Sequence, residues 1–260
     1  MSRKLIKLVL TGGPGGGKTQ GQEKLTKFME EKGWVVYLVP EAATIIGSGQ
    51  VKFADLSPDA LVMMQENILR TTLQLEQNIF AVAELAEHNT MVIMDRGALD
   101  GAAYLSNSQW IDILGNTGYT EEDLLGRYDI VVHLETAAKG ADKFYSIAGH
   151  VARHEGSVTK IEGGANFFKK GTQPHEHFVT QIYGLNSARH FLKKRGPFPF
   201  GHTDEDPAEA RKKDTATAEA WQNHPCFHVI KNINCKDFAD KIQQLNSWVY
   251  NKVTYSNSLV

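Results

Sequence analysis

The stretch Gly12-Gly13-Pro14-Gly15-Gly16-Gly17-Lys18-Thr19 constrains this chain more than any other, because it fits the pattern G-x-x-x-x-G-K-[ST] in full. The residue types follow from what such a loop must do. Glycines let successive backbone N–H groups converge on phosphate oxygens, and the N-terminus of a following helix adds partial positive charge. Lys18 is placed to reach the β- and γ-phosphates of a nucleoside triphosphate, and the Thr19 hydroxyl to ligate Mg²⁺. Gln20 follows in the first helical turn and completes the binding set. A glycine-rich turn without a ligand is the alternative. The flanks argue against it: an apolar run from Lys4 to Thr11 predicts a buried strand before the loop. After it, Leu25, Phe28 and Met29 recur at helical spacing until Gly33.

The same alternation continues along the chain. Trp34 to Val39 predicts a second strand closed by Pro40, and Ser57-Pro58 supplies an N-cap and a first-turn proline for a long helix to about Glu87. Met91 to Met94 predicts a third strand, ending in Asp95-Arg96-Gly97, and Asp129 to Leu134 a fourth, followed by a helix from Thr136 to His150. Phe227 to Ile230 predicts a fifth strand. Asp237 to Val249 predicts a closing helix with Phe238, Ile242, Leu245 and Val249 on one face. Strands that are apolar throughout and alternate with helices imply a parallel sheet covered on both faces. The expected fold is α/β, a three-layer P-loop NTPase fold with a five-stranded parallel sheet of the nucleotide-kinase-like type. One domain is expected over residues 1–252, with an insertion at about 157–209 and a flexible C-terminal tail at 253–260.

In such sheets ligands gather at the carboxyl ends of the strands, and that is where the candidate residues fall. Asp95 ends the third strand, where a carboxylate would hold Mg²⁺ with Thr19. Arg96 beside it has the forked geometry that suits phosphate oxygens as charge develops on them. Glu41 follows the second strand and is a candidate general base toward a substrate hydroxyl. Arg153 lies where a lid would bring a cation over bound phosphates. Each has a plainer reading, as a turn former, a structural Asp-Arg pair or a helix N-terminal charge, and the phosphate loop is what raises the functional one. Gln65, on the long helix, has an amide able to read a base edge. His175-Glu176-His177 lacks the H-E-x-x-H spacing that places two imidazoles on one helical face, so no zinc site is expected.

A net charge of -2 argues against a surface built for nucleic acid, and no nucleic-acid partner is expected. Locally the balance differs. Residues 160–195 hold seven basic residues against two acids and are interleaved with aromatics, a combination that meets an anionic lipid surface or packs as an ordinary loop. The two cysteines, Cys226 and Cys235, give no disulfide framework. The apolar run behind Met1 is too short for a signal peptide. A cytoplasmic protein, peripheral at membranes through its basic segment, is the expectation. Ser258-Leu259-Val260 has the form of a C-terminal ligand for a partner's groove.

Several segments together resemble the AAA-type NadR/translocation-defect family: Leu10 through Thr19, Val39-Pro-Glu-Ala-Ala-Thr44, Met94-Asp-Arg-Gly97, His133 through Tyr145 and Ala152-Arg-His-Glu-Gly156. The likeness resumes at Ala210-Arg-Lys-Lys-Asp214 and Trp221 to Pro225, and runs through Asn232 to Cys235 into the last helix. It departs between Ser157 and about Glu209. One branch of that family is similar to nicotinamide-riboside and deoxynucleoside kinases. The resemblance therefore implies Mg²⁺-dependent binding of ATP or GTP and phosphoryl transfer to a small-molecule hydroxyl acceptor. The alternative it carries is a GTP-binding, phosphoinositide-associated regulator of membrane trafficking with little or no kinase activity. No Asn-Lys-x-Asp guanine motif is present to choose between the two bases.

Overall fold

The computed structural model describes residues 3–141 and 206–255. Five strands form one sheet: β1 (Leu5–Thr11), β2 (Val35–Val39), β3 (Thr90–Asp95), β4 (Ile130–Leu134) and β5 (Phe227–Ile230), in the order β2-β3-β1-β4-β5 and parallel at every pairing. Because side chains alternate across a strand, each strand feeds two cores. On one face Ile6, Leu8 and Leu10 join Met91, Ile93, Val132 and Leu134 beneath α1 (Lys18–Glu31) and the last helix. On the other, Val9, Val92, Met94 and Val131 pack against the long helix and its neighbours. Helices on both faces of a parallel sheet make the expected three layers. All described residues belong to one unit, spanning 1–145 and 201–260.

The order places β1 centrally, with β3 and β4 on either side, so the loop after β1 opens between the carboxyl ends of two neighbours. Ser57 caps α3 (Pro58–Glu84) as expected, its hydroxyl accepting from the Ala60 N–H, and the helix ends at Glu84 rather than near Glu87. Leu69, Leu73, Glu76, Phe80 and Ala83 line its buried stripe, and the one acid in that stripe becomes important below.

Three short helices escape the periodicity reading because each is less than four turns long: α2 (Ala42–Ser48), α4 (Asn107–Thr117) and α5 (Glu121–Leu125). Capping boxes at Ser106/Gln109 and Thr120/Asp123 start the latter two. The expected helix from Thr136 does not begin there. Residues Ala137 to Gly140 form a turn, ended by Gly140 at φ 73°. A side chain from a distant segment takes carbonyls that a helix would pair with its own N–H groups: Asn232 donates to the carbonyls of Thr136 and Lys139. The remainder of that expected helix lies outside the described residues.

Two boundaries also move. α6 (Pro207–Trp221) opens inside the expected insertion, with Asp206 capping the Ala208 N–H, so residues 207–209 belong to the core fold. α7 (Phe238–Tyr255) carries its apolar stripe past Val249 to Val253, which makes residues 253–255 of the expected flexible tail helical. Residues 256–260, with the C-terminal tripeptide, lie outside the described residues. No described helix is long and apolar enough to cross a membrane.

Candidate nucleotide site

The loop from Gly12 to Gly17 is shaped by what presses on it. Gly12 sits at φ 141°, and a Cβ there would lie 2.2 Å from the Leu134 carbonyl oxygen, so only glycine lets the loop lie against the end of β4. From below, the buried Lys241 ammonium of α7 donates to the Gly16 carbonyl at 3.1 Å, the Glu135 carbonyl at 2.6 Å and the Asn232 Oδ1 at 2.8 Å. Gly17, in the left-handed conformation, is the N-cap of α1 and supplies no side-chain cap, and no acid stands in the first helical turn. The first N–H groups of an α-helix have no intrahelical acceptor. With neither a capping oxygen nor an acid beside them, those of α1 suit an anion, with Lys18, Thr19 and Gln20 at that end. Pro14 is held from the opposite wall, where the Thr136 hydroxyl donates to its carbonyl.

Lys18 leans across the loop mouth, donating to the carbonyls of Gly12 at 2.7 Å and Gly13 at 3.0 Å. Burial, reinforced by Arg96, outweighs Asp95, Glu41 and Asp100 and brings its pKa down to about 8. Phosphate binds the charged ammonium. Below pH 8 the free protein already carries that proton; above it, binding must first take one up. Triphosphate affinity should therefore fall by up to tenfold per unit as pH rises beyond about 8. Calorimetry at pH 8.5 in buffers of different ionisation enthalpy should show proton uptake. A heat independent of buffer, with flat affinity from pH 7 to 9, would contradict this.

Around the lysine stand the residues that follow β2 and β3. Arg96 has φ 68°, a conformation uncommon for a residue with a side chain, and is held there by its N–H on the Leu10 carbonyl at 3.0 Å and by two carboxylates. Its Nε donates to Glu41 Oε1 at 2.6 Å, and its Nη1 to Asp100 Oδ2 at 3.2 Å. The expected alternative of a simple Asp95-Arg96 pair is not what forms. Arg96 instead bridges the ends of β2 and β3. Burial alone would raise the Glu41 carboxyl, but Arg96, the Thr44 hydroxyl on Oε2 and Lys18 bring it below its usual range, so it stays ionised. Burial pushes Asp95 up, with Lys18 and Arg96 opposing and Glu41 adding to it.

Three carboxylates (Glu41, Asp95 and Asp100) thus share one region with two cations, Lys18 and Arg96, an excess of one negative charge. This fits an arriving Mg²⁺. Among the described residues no group of three or more His, Cys, Asp or Glu side chains could hold a metal by itself. Asp95 and the Thr19 hydroxyl would be the protein's share of an ion bound otherwise through substrate phosphates. Gln65 reaches the 3-10 turn Asp100–Tyr104, with its Oε1 beside Gly101. Arg153, the basic segment 160–195 and His175 to His177 lie outside the described residues.

Sequence reasoning missed Asp100, Asp214, Trp221 and Lys241. Asp100 carried one local signal, its position four residues after Arg96. The other three belong to helices whose contacts with the loop span more than 120 residues, and spacing within the helix says nothing of that.

A family model described as an AAA domain matches residues 7–162. No curated protein matches the chain. Among solved structures, a thymidylate kinase from Candida albicans is similar at a TM-score of 0.46 and 13% identity, over 97% of this chain and 93% of that one.

Proposed function

This chain belongs to the AAA domain family, and from that premise we propose that it binds ATP or GTP with Mg²⁺ and transfers a phosphoryl group to a hydroxyl of a small-molecule acceptor. One observation carries the reading beyond nucleotide binding. Glu41, an ionised carboxylate, is fixed by Arg96 at 2.6 Å at the same end of the sheet as the phosphate loop. Both Glu41 oxygens have a partner, yet a carboxylate offers about four lone-pair sites, so it can still accept from a substrate hydroxyl. Its lowered pKa makes it a weak base. That suits phosphoryl transfer, whose loose transition state asks for orientation and late acceptance of the proton rather than early abstraction.

The backbone N–H groups at the start of α1 and Lys18 orient the β- and γ-phosphates, Thr19 and Asp95 hold the metal, and Arg96 faces the transferring group. Bound Mg²⁺ supplies neutralisation of the phosphate charge. Consumption of ATP and GTP by the purified protein, with and without nucleosides, nicotinamide riboside and related hydroxyl acceptors, tests the proposal. Stimulation by an acceptor is expected. Tight binding with no turnover across the panel would overturn phosphoryl transfer and leave a nucleotide-gated binding protein.

Glu41→Gln sharpens the test, since it keeps the shape and removes the proton acceptor. At saturating triphosphate, turnover should fall about a hundredfold, within the range assigned to general base catalysis. Equal turnover in variant and parent would remove Glu41 from the chemistry.

A further inference from the structure

α6 presents one buried stripe, Ala210, Asp214, Thr217 and Trp221, at spacings of four, three and four. Two members of that stripe, two helical turns or about 10 Å apart along the axis, end at opposite halves of the phosphate site. Asp214 Oδ1 accepts from the Gly13 N–H at 2.9 Å, the Thr136 N–H at 2.9 Å and His133 Nε2 at 3.0 Å, while Oδ2 meets the Lys139 ammonium at 2.9 Å. The fit is close enough that a Cβ on Gly13 would lie 2.6 Å from that of Asp214. Burial works against the Asp214 charge. The His133 and Lys139 contacts and the Gly13 N–H outweigh it and hold the carboxyl well below its usual range.

Trp221 serves the other half. Its Nε1–H donates to Asp100 Oδ1 at 2.7 Å, and its ring lies against Gly97, where an added Cβ would be 2.8 Å from Cζ2. Asp100 also accepts from Thr11 Oγ1, at 2.9 Å to each oxygen, and from Arg96 Nη1. One of the two carboxylates that hold Arg96 is thus itself held by the indole, between the end of β1 and α6.

We propose that Asp214 and Trp221 are positioning residues through which α6 sets both halves of the phosphate site, Asp214 the backbone of the phosphate loop and Trp221, by way of Asp100, the guanidinium of Arg96. The proposal rests on the nucleotide-binding reading above and adds a division of labour to it. The loop around Gly13 meets phosphates common to a diphosphate and a triphosphate. Arg96 meets the third. Both contacts sit on one helix, so a change in the seating of α6 would register at both at once.

Calorimetric titration of the full chain with Mg²⁺ and either a nucleoside diphosphate or its non-hydrolysable β,γ-imido triphosphate separates these roles. Trp221→Phe keeps an aromatic ring on the buried face of α6 and removes the N–H along with part of the indole's bulk. Triphosphate affinity should fall about tenfold, the scale of one hydrogen bond to a charged group, with diphosphate affinity unchanged within about twofold. Asp214→Asn should lower both about equally, by about tenfold. Loss of overall stability would weaken both ligands in both variants, so the selective loss in Trp221→Phe is what a merely structural role does not produce. Asp100→Asn cuts the same link from its other end and should repeat that selectivity, which decides the matter if either α6 variant fails to fold. Equal losses for the two ligands, or none, in Trp221→Phe and Asp100→Asn would overturn the proposal while leaving the function intact. A parent protein that binds neither ligand would overturn the function and this inference together.

Discussion

A Lys18→Ala protein is expected to lose roughly a thousandfold in triphosphate affinity and to melt no lower than its parent. Truncating one partner of a desolvated charge pair costs about 2–5 kcal/mol, and about 1.4 kcal/mol is a factor of ten. The upper part of that range applies here. The ammonium sits over the loop carbonyls of Gly12 and Gly13, on the open side of the loop, and Arg96 is the cation that acts on it. Stability should hold because burial already disfavours this charge, as the fall of its pKa to about 8 shows. Removing it relieves a cost of folding rather than a support. Paired calorimetry and thermal melts check both halves. Affinity within threefold of the parent would refute the site, whereas lost affinity with a melting point far below the parent would mean that the loop, not the charge, had been lost.

Glu76→Ala should be strongly destabilising although it lies outside the site. Glu76 is fully buried in α3, where its Oε2 receives Arg127 Nε at 2.9 Å and Nη2 at 2.8 Å, and its Oε1 the Tyr128 hydroxyl at 2.7 Å. The same hydroxyl accepts from the Ala98 N–H at 2.9 Å, so the cluster reaches the turn that carries Asp95 and Arg96. Burial pushes the Glu76 carboxyl up despite its partners, a sign of how much desolvation the cluster must offset. Removing one member of such a buried pair costs about 3–5 kcal/mol, because its partners stay buried without it. For a chain of this size that is a fall in melting temperature of about 10 °C. A loss below about 1 kcal/mol in denaturant titrations would show that Arg127 and Tyr128 find water instead and that the cluster holds nothing together.

How much of this could be read beforehand depends on the range of the signal. The phosphate loop was legible because its chemistry is local: glycines, a lysine and a hydroxyl at fixed spacing between a strand and a helix. Ser57-Pro58 opened α3 as expected, and β5 fell on Phe227–Ile230 as expected, since an N-cap and an apolar run each act within a few residues. Glu41, Asp95 and Arg96 were legible as strand-end residues of a parallel sheet. Their pairing was not. Nothing local to Arg96 says that its guanidinium turns to Glu41, fifty-five residues earlier, rather than to its neighbour Asp95. The helix expected from Thr136 does not start there for the same reason, because Asn232 takes the carbonyls of Thr136 and Lys139 from across the fold.

By itself the sequence determined that this chain builds a parallel α/β sheet with a phosphate-binding loop at its centre, since apolar periodicity and glycine placement act between residues a few positions apart. Only the tertiary structure decided who holds that loop and its arginine in place: Lys241 from α7, and Asp214 and Trp221 from α6. Those partners are buried polar groups. Desolvation forces each to find a donor or acceptor, and which one it finds is set by the packing of helices distant in the chain, which no local pattern encodes.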